Sequence, residues 1–176
     1  LVTFLGEELG FESAIVDELL DDGVTARTVG LYAKGGVQPN LEYGLPGTPC
    51  ENVVGKKLCY YPRDVQALFP RDVMLQEMGA RSYIGVPLWA SDGTPLGLIA
   101  VLGCRDFDGD RVTAEAVLQV VAVRCAHELE RKRADAFLRR HRFFIERSTD
   151  MMAVVGADHR YLLANRAFVE RLGGGA

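Results

Sequence analysis

Leu1, Phe4, Leu5 and Leu9 recur at helical spacing and Gly10 follows as a stop, which predicts a helix over residues 1–9. Residues 13–20 (SAIVDELL) and 26–34 (ARTVGLYAK) flank Asp21-Asp22-Gly23, so they are read as two strands of a hairpin. Pro39, Gly44, Pro46, Gly47, Pro49 and Gly55 break residues 35–58 into turns. A stretch that long without regular structure is expected to be functional or to lie over something. A short strand at 58–61, a helical turn at 64–69 and a helix at 73–78 capped by Asp72 and ended by Gly79 come next. Ser82–Trp89 and Pro95–Gly103 are the clearest strands, joined by a loop whose Asp92-Gly93 step supplies a positive φ. The second is apolar nearly throughout, so it belongs at the centre of its sheet, covered on both faces. The predicted fold is α/β (α+β), a central antiparallel sheet of five or six strands with the first and last helices on one face. Its core is expected to hold Ile84, Val86, Leu98, Ile99, Val101, Leu118 and Val121.

A long helix is predicted over 111–141, with Val112, Leu118, Val121, Ala122, Cys125 and Leu129 as its apolar stripe. Ala122, Leu129, Ala136 and Phe143 then fall at heptad spacing. With Leu118 they form a candidate dimer seam, weakened by Lys132 and Arg139 on the alternate positions. A second pattern starts at Phe143: short strands at 151–155 and 160–164, and a helical run at 166–172 that stops at Gly173-Gly174-Gly175.

Composition bounds the chemistry. The 176 residues are 48% hydrophobic with net charge −4, a globular balance that gives nucleic acid no electrostatic footing. Seven basic residues against four acids in 128–147 do not make a nucleic-acid arm, because the acids are interspersed. No apolar run approaches the ~20 residues of a membrane span, so no direct membrane contact is expected. Without a basic leader the location is read as cytoplasmic; without an initial Met the chain is read as a piece of a parent that could itself be membrane-anchored. Cys50, Cys59, Cys104 and Cys125 show no zinc spacing with His127, His141 and His159. The sharper cysteine reading is a redox pair of Cys50 and Cys59. No Ser-His-Asp set, carboxylate pair or phosphate loop is visible, so no catalytic residue and no metal site is assigned.

Residues 48–62 (TPCENVVGKKLCYYP) and 80–102 (ARSYIGVPLWASDGTPLGLIAVL), with the long charged-ended helix behind them, resemble a GAF domain over 1–133. Residues 134–142 are a helical linker. The tail 143–168 (FFIERSTDMMAVVGADHRYLLANRAF) resembles the opening of a PAS domain, incomplete within 143–176. That order is similar to the sensory front of bacterial histidine kinases and cyclic-di-GMP enzymes.

The resemblance implies a non-catalytic sensory and dimerisation module of a two-component or related signalling protein, with a small ligand bound between the sheet and a covering segment, about 44–79. The chain lacks the N-K…F…D-E set of cyclic-nucleotide-binding members, and Cys59 is followed by Tyr60 rather than the histidine of bilin-binding members. The cofactor and ligand identities are left open. The candidate walls are Tyr43, Cys59, Tyr60, Tyr61, Phe69 and Met78, with Arg81 as a charge for an anionic ligand. The implied partners are a second copy of the chain and that unidentified small molecule. The alternative is a cysteine-based redox sensor or reductase using Cys50 and Cys59.

Overall fold

The structure, a computed structural model, describes residues 1–173. The chain divides into two compact units, Leu1–Glu130 and the residues from Arg131 onward.

In the first unit, helix α1 (Val2–Leu9) ends at Gly10 in the left-handed conformation. Strands β1 (Ser13–Leu19) and β2 (Thr25–Ala33) pair antiparallel. Their turn is held by Asp22, whose Oδ1 accepts from the amides of Val24 and Thr25. Strands β3 (Gly36–Val37) and β4 (Glu42–Gly44) both pair with β2. After β5 (Cys59–Tyr61) come helices α2 (Val65–Leu68) and α3 (Val73–Glu77), then β6 (Ser82–Trp89) and β7 (Pro95–Gly103). The order is β3-β2-β1-β7-β6-β5, antiparallel throughout, with β4 also on β2. The described residues therefore make a seven-stranded sheet rather than five or six. The additional ladders come from the segment expected to be irregular, which turns at Gly35 (φ 73°) and satisfies backbone groups left open on β2.

Strand β7 is central, between β1 and β6, and its two faces feed two cores. Ile99 and Val101 join Val2, Leu5, Ile84, Val86 and Leu118 beneath α1 and the long helix α4 (Arg111–Arg147). Leu98, Ala100 and Leu102 face the opposite way, under residues 45–80, with Val53, Val65 and Leu75. This is the period of two expressed as two buried layers.

Three expectations for α4 need correction. Val112 is 74% exposed and Val121 only partly buried. At about 100° per residue, Val112 lies roughly 120° from Leu118 and Val121 roughly 60° from it, off the stripe and at its edge. The helix also runs on to Arg147, since residues 128–147 contain no Gly or Pro to stop it. Finally, Leu118, Ala122 and Leu129 cannot form a dimer seam as they stand, because they are buried in the chain's own core. Ala136 and Phe143 are exposed.

In the second unit, β8 (Ala153–Val155) and β9 (Tyr161–Ala164) form a hairpin followed by α5 (Arg166–Gly173). Gly174 and Gly175, part of the predicted stop, lie outside the described residues. Asn165, 1% exposed, organises this unit. Its Nδ2 donates to the carbonyls of Ile145 (3.0 Å) and Asp150 (2.8 Å). Its Oδ1 accepts from the amides of Met152 (2.9 Å) and Phe168 (3.0 Å). One side chain thus caps α5 and ties the end of α4 to the hairpin.

Candidate functional site

Asp17 lies in the middle of β1, opposite Thr28 of β2 and Leu98 of β7. The β1–β2 register skips one residue of β2 beside it, a bulge of the kind that re-aims side chains. It shares the face of Ile15, so its carboxylate points under the covering segment. Gly97 of β7 lets the strands close there, since a Cβ at that position would collide with the Asp17 carbonyl.

Asp17 is fully buried. Its Oδ2 accepts a 2.6 Å hydrogen bond from the Tyr43 hydroxyl of β4. Its Oδ1 has no hydrogen-bond partner among the described residues. Burial pushes the carboxyl up to about 7 against the opposing pull of the Tyr43 bond.

The short 3₁₀ helix Pro49–Asn52 places buried Cys50 over this group. The Tyr83 hydroxyl donates to the Cys50 sulfur at 3.4 Å. Gly85 makes room for that ring, because a Cβ two residues along β6 would meet the Tyr83 hydroxyl. Burial first, then the nearby Asp17 charge, pushes the Cys50 thiol up to about 12. Tyr61 packs on Phe69 (ring centroids 5.3 Å apart) and Tyr83 (6.0 Å), and its hydroxyl accepts from Asn52 Nδ2. Cys59 donates to the Asn52 carbonyl at 3.4 Å. Asp72, the cap of α3, is also buried, which raises its carboxyl. The space left among Tyr43, Cys50, Asp72, Met78 and Tyr83 is about 10 Å³, no more than one water needs. Side chains fill this face.

Of the expected wall residues, Tyr43, Cys59, Tyr61, Phe69 and Met78 come together here. Tyr60 does not. Strand alternation turns it to the opposite face, where it meets Phe107 and lies under the Arg111 guanidinium. Arg81 is exposed and bound to Asp106 at 2.8 Å, with Asp64 at 3.9 Å, so it is not a free charge for an anion. Cys50 and Cys59 are buried free thiols, and the raised Cys50 is the reverse of a reactive thiolate.

Asp17, Asp72 and Tyr83 were missed as site residues. Period two from Ile15 would have placed Asp17 facing inward.

The helix face carries a larger open groove, about 570 Å³, lined by Lys57, Trp89, Ala126, His127 and others. No buried polar group with an unmet bond faces it among the described residues. The chemistry is concentrated on the covered face. Among the described residues no cluster of metal-ligating side chains occurs, and no helix is long and apolar enough to cross a membrane.

An antiparallel sheet with terminal helices on one face and a covering segment over a polar, aromatic centre on the other defines a class of sensory α+β domains. The model of the GAF domain family matches residues 1–129, and the chain belongs to that family. GAF domains are sensory, ligand-binding modules of signalling proteins and in general regulatory. None of the curated proteins matches the chain. Among solved structures it is similar to a far-red cyanobacteriochrome photoreceptor (13% identity, 74% of this chain and 82% of that one, TM-score 0.57). It is similar to the GAF domain of an Acinetobacter phosphoenolpyruvate-protein phosphotransferase (14%, 77% and 80%, TM-score 0.57). A type II free methionine-R-sulfoxide reductase from Thermoplasma acidophilum is similar as well (18%, 74% and 87%, TM-score 0.56). At these identities the likeness is one of fold.

Proposed function

We propose that this chain is the sensory and dimerisation part of a bacterial, cytoplasmic signalling protein, non-catalytic in itself, in which a small ligand binds on the covered face and α4 relays the change. The observation that carries this reading is Asp17. A core selected only for stability has no use for a buried carboxylate with an unmet oxygen, which costs on the order of 1–3 kcal/mol or more. The cover above it is built of pieces of four and five residues, the 3₁₀ helix, α2 and α3, with Tyr43 reaching over from β4, rather than one long element. Such pieces can separate to admit a ligand and repack around it, a shift between two packings.

Residues 143–176 are read as the start of a PAS domain, and the parent as a histidine kinase or a cyclic-di-GMP enzyme. The β8–β9 hairpin followed by Asn165-capped α5 supports the PAS reading.

Dimerisation moves to another face of α4. Val123, Phe137 and Phe144 share one heptad position, and Val120 lies on the complementary one. All four side chains are at least 60% exposed. Glu130 falls on the same heptad position and its Oε1 is held by Ser91, so the pairing rests on the exposed residues on either side of it.

Against the reductase alternative stands Cys50, a buried thiol that burial pushes away from the thiolate. The test is native mass spectrometry of the chain purified from its own host. A stoichiometric small-molecule adduct that denaturation releases, on a dimeric mass, is expected. A bare monomer at high micromolar concentration contradicts both halves of the proposal.

A further inference from the structure

We propose that the covered face of the sheet takes a small protonated amine, with Asp17 as its counter-charge and the surrounding tyrosines as its walls. This rests on the reading of that face as a ligand pocket and names the chemistry of the ligand.

Three observations converge. First, Asp17 is fully buried and offers an acceptor, Oδ1, that nothing among the described residues satisfies, while Oδ2 has Tyr43 as a donor. The site therefore lacks a hydrogen-bond donor. Second, it lacks a positive charge. Asp17 and Asp72 both act on Cys50, and the buried residues of this layer include no Lys, Arg or His among those described. An anion entering here would meet two carboxylates, and a neutral apolar ligand would leave Oδ1 unmet. An ammonium supplies both the charge and the N–H. Third, the remaining wall is aromatic. The Tyr43 hydroxyl donates to Asp17 and the Tyr83 hydroxyl to Cys50 above it, and a ring turned toward the cation once Tyr43 is displaced would hold it desolvated.

The free space of about 10 Å³ holds no more than one water, so an amine enters only if the cover moves. The part that has to move is the stretch carrying Tyr43 and Cys50; Gly47 (φ 83°) and Gly55 (φ 65°) bracket the 3₁₀ helix within it. Displacing Tyr43 would free Oδ2 as well, so an entering ammonium can take over the donor it pushes aside.

The experiment is a ¹H–¹⁵N NMR titration of the whole chain with n-propylammonium, n-propanol and propionate, alongside a set of uncharged fragments. Propylammonium is expected to move the Asp17, Tyr43 and Cys50 amides saturably, with propanol and propionate leaving them in place. Asp17→Asn should weaken amine binding roughly ten- to a hundredfold, the worth of a charge-assisted bond. Amine and alcohol acting alike on the wild-type chain overturns the proposal without recourse to any variant. An Asp17→Asn chain that folds and still binds amine as tightly does so too. If uncharged fragments bind this face and amines do not, the cation falls while the pocket stands. If nothing binds there, both fall.

Discussion

Replacing Asp17 with Asn should change the pH dependence of stability more than stability itself. In the unfolded chain the carboxyl titrates near its ordinary value of 3.8, and in the fold burial pushes it up to about 7. The folded state therefore holds the proton more tightly. The stability this group contributes is fully present below about 4 and is lost as pH rises through about 7. About three pH units correspond to about 4 kcal/mol over the whole range. Rather more than a third of that is gone by pH 5, so 2 to 3 kcal/mol, approximately, should disappear between pH 5 and pH 8. The Asn side chain does not titrate. Its oxygen can take the Tyr43 bond, while its amide faces the position of Oδ1 and finds no acceptor there, a cost of roughly 1–3 kcal/mol at every pH. A protonated Asp17 likewise presents a hydrogen there with no acceptor, so the variant should lie close to the wild type at pH 5 and exceed it at pH 8. Urea denaturation at four pH values on both chains gives the comparison, and subtracting the profiles removes Asp72 and every other shared group. Parallel profiles would show that Asp17 is not a buried, unevenly satisfied acid, and the reasoning about this face would fail with it.

Other outcomes follow from the same geometry. Asn165→Ala removes four backbone partners at once, so the amides of Met152 and Phe168 should lose hydrogen-exchange protection by tenfold or more, on the order of 1–3 kcal/mol, while β7 amides keep theirs. Val123→Glu with Phe137→Glu should give monomers in sedimentation velocity with an unchanged melting temperature. Leu129→Glu, which buries a charge in the chain's own core, should instead unfold the first unit. A thiol reagent at pH 7.5 should label exposed Cys104 well before buried Cys50; fast labelling of Cys50 would restore the redox reading.

The strongly patterned elements were the legible ones. Strands β6 and β7 sit at the residues expected, because an Asp-Gly turn and two long apolar runs leave little choice of register. The pairing of α1 and α4 over one face, the central place of β7 and the burial of Ile84, Leu98 and Leu118 were readable for the same reason. The site was readable only in part. A run of four residues, 58–61, does not reveal its phase, so Tyr60 and Tyr61 read alike although alternation sends them to opposite faces. Asp17 was overlooked because an acid inside an apolar run is ordinarily a solvent-facing position. Here a covering segment from 26 residues and more downstream buries it. The heptad through Ala122 and Leu129 could describe either a dimer seam or a stripe packed on a sheet, since 3.5 and 3.6 residues per turn barely diverge over two turns. Phe143-Phe144-Ile145 looked like a fresh start and is the last turn of α4.

Ligand is expected on the covered face, in preference to the larger groove beside Trp89 and His127. An NMR map of fragment binding across the whole chain decides between them. Shifts that cluster on Asp17, Tyr43, Cys50, Tyr61 and Tyr83, with the covering segment moving, are the predicted result. Shifts confined to Lys57, Trp89, Ala126 and His127 would contradict it.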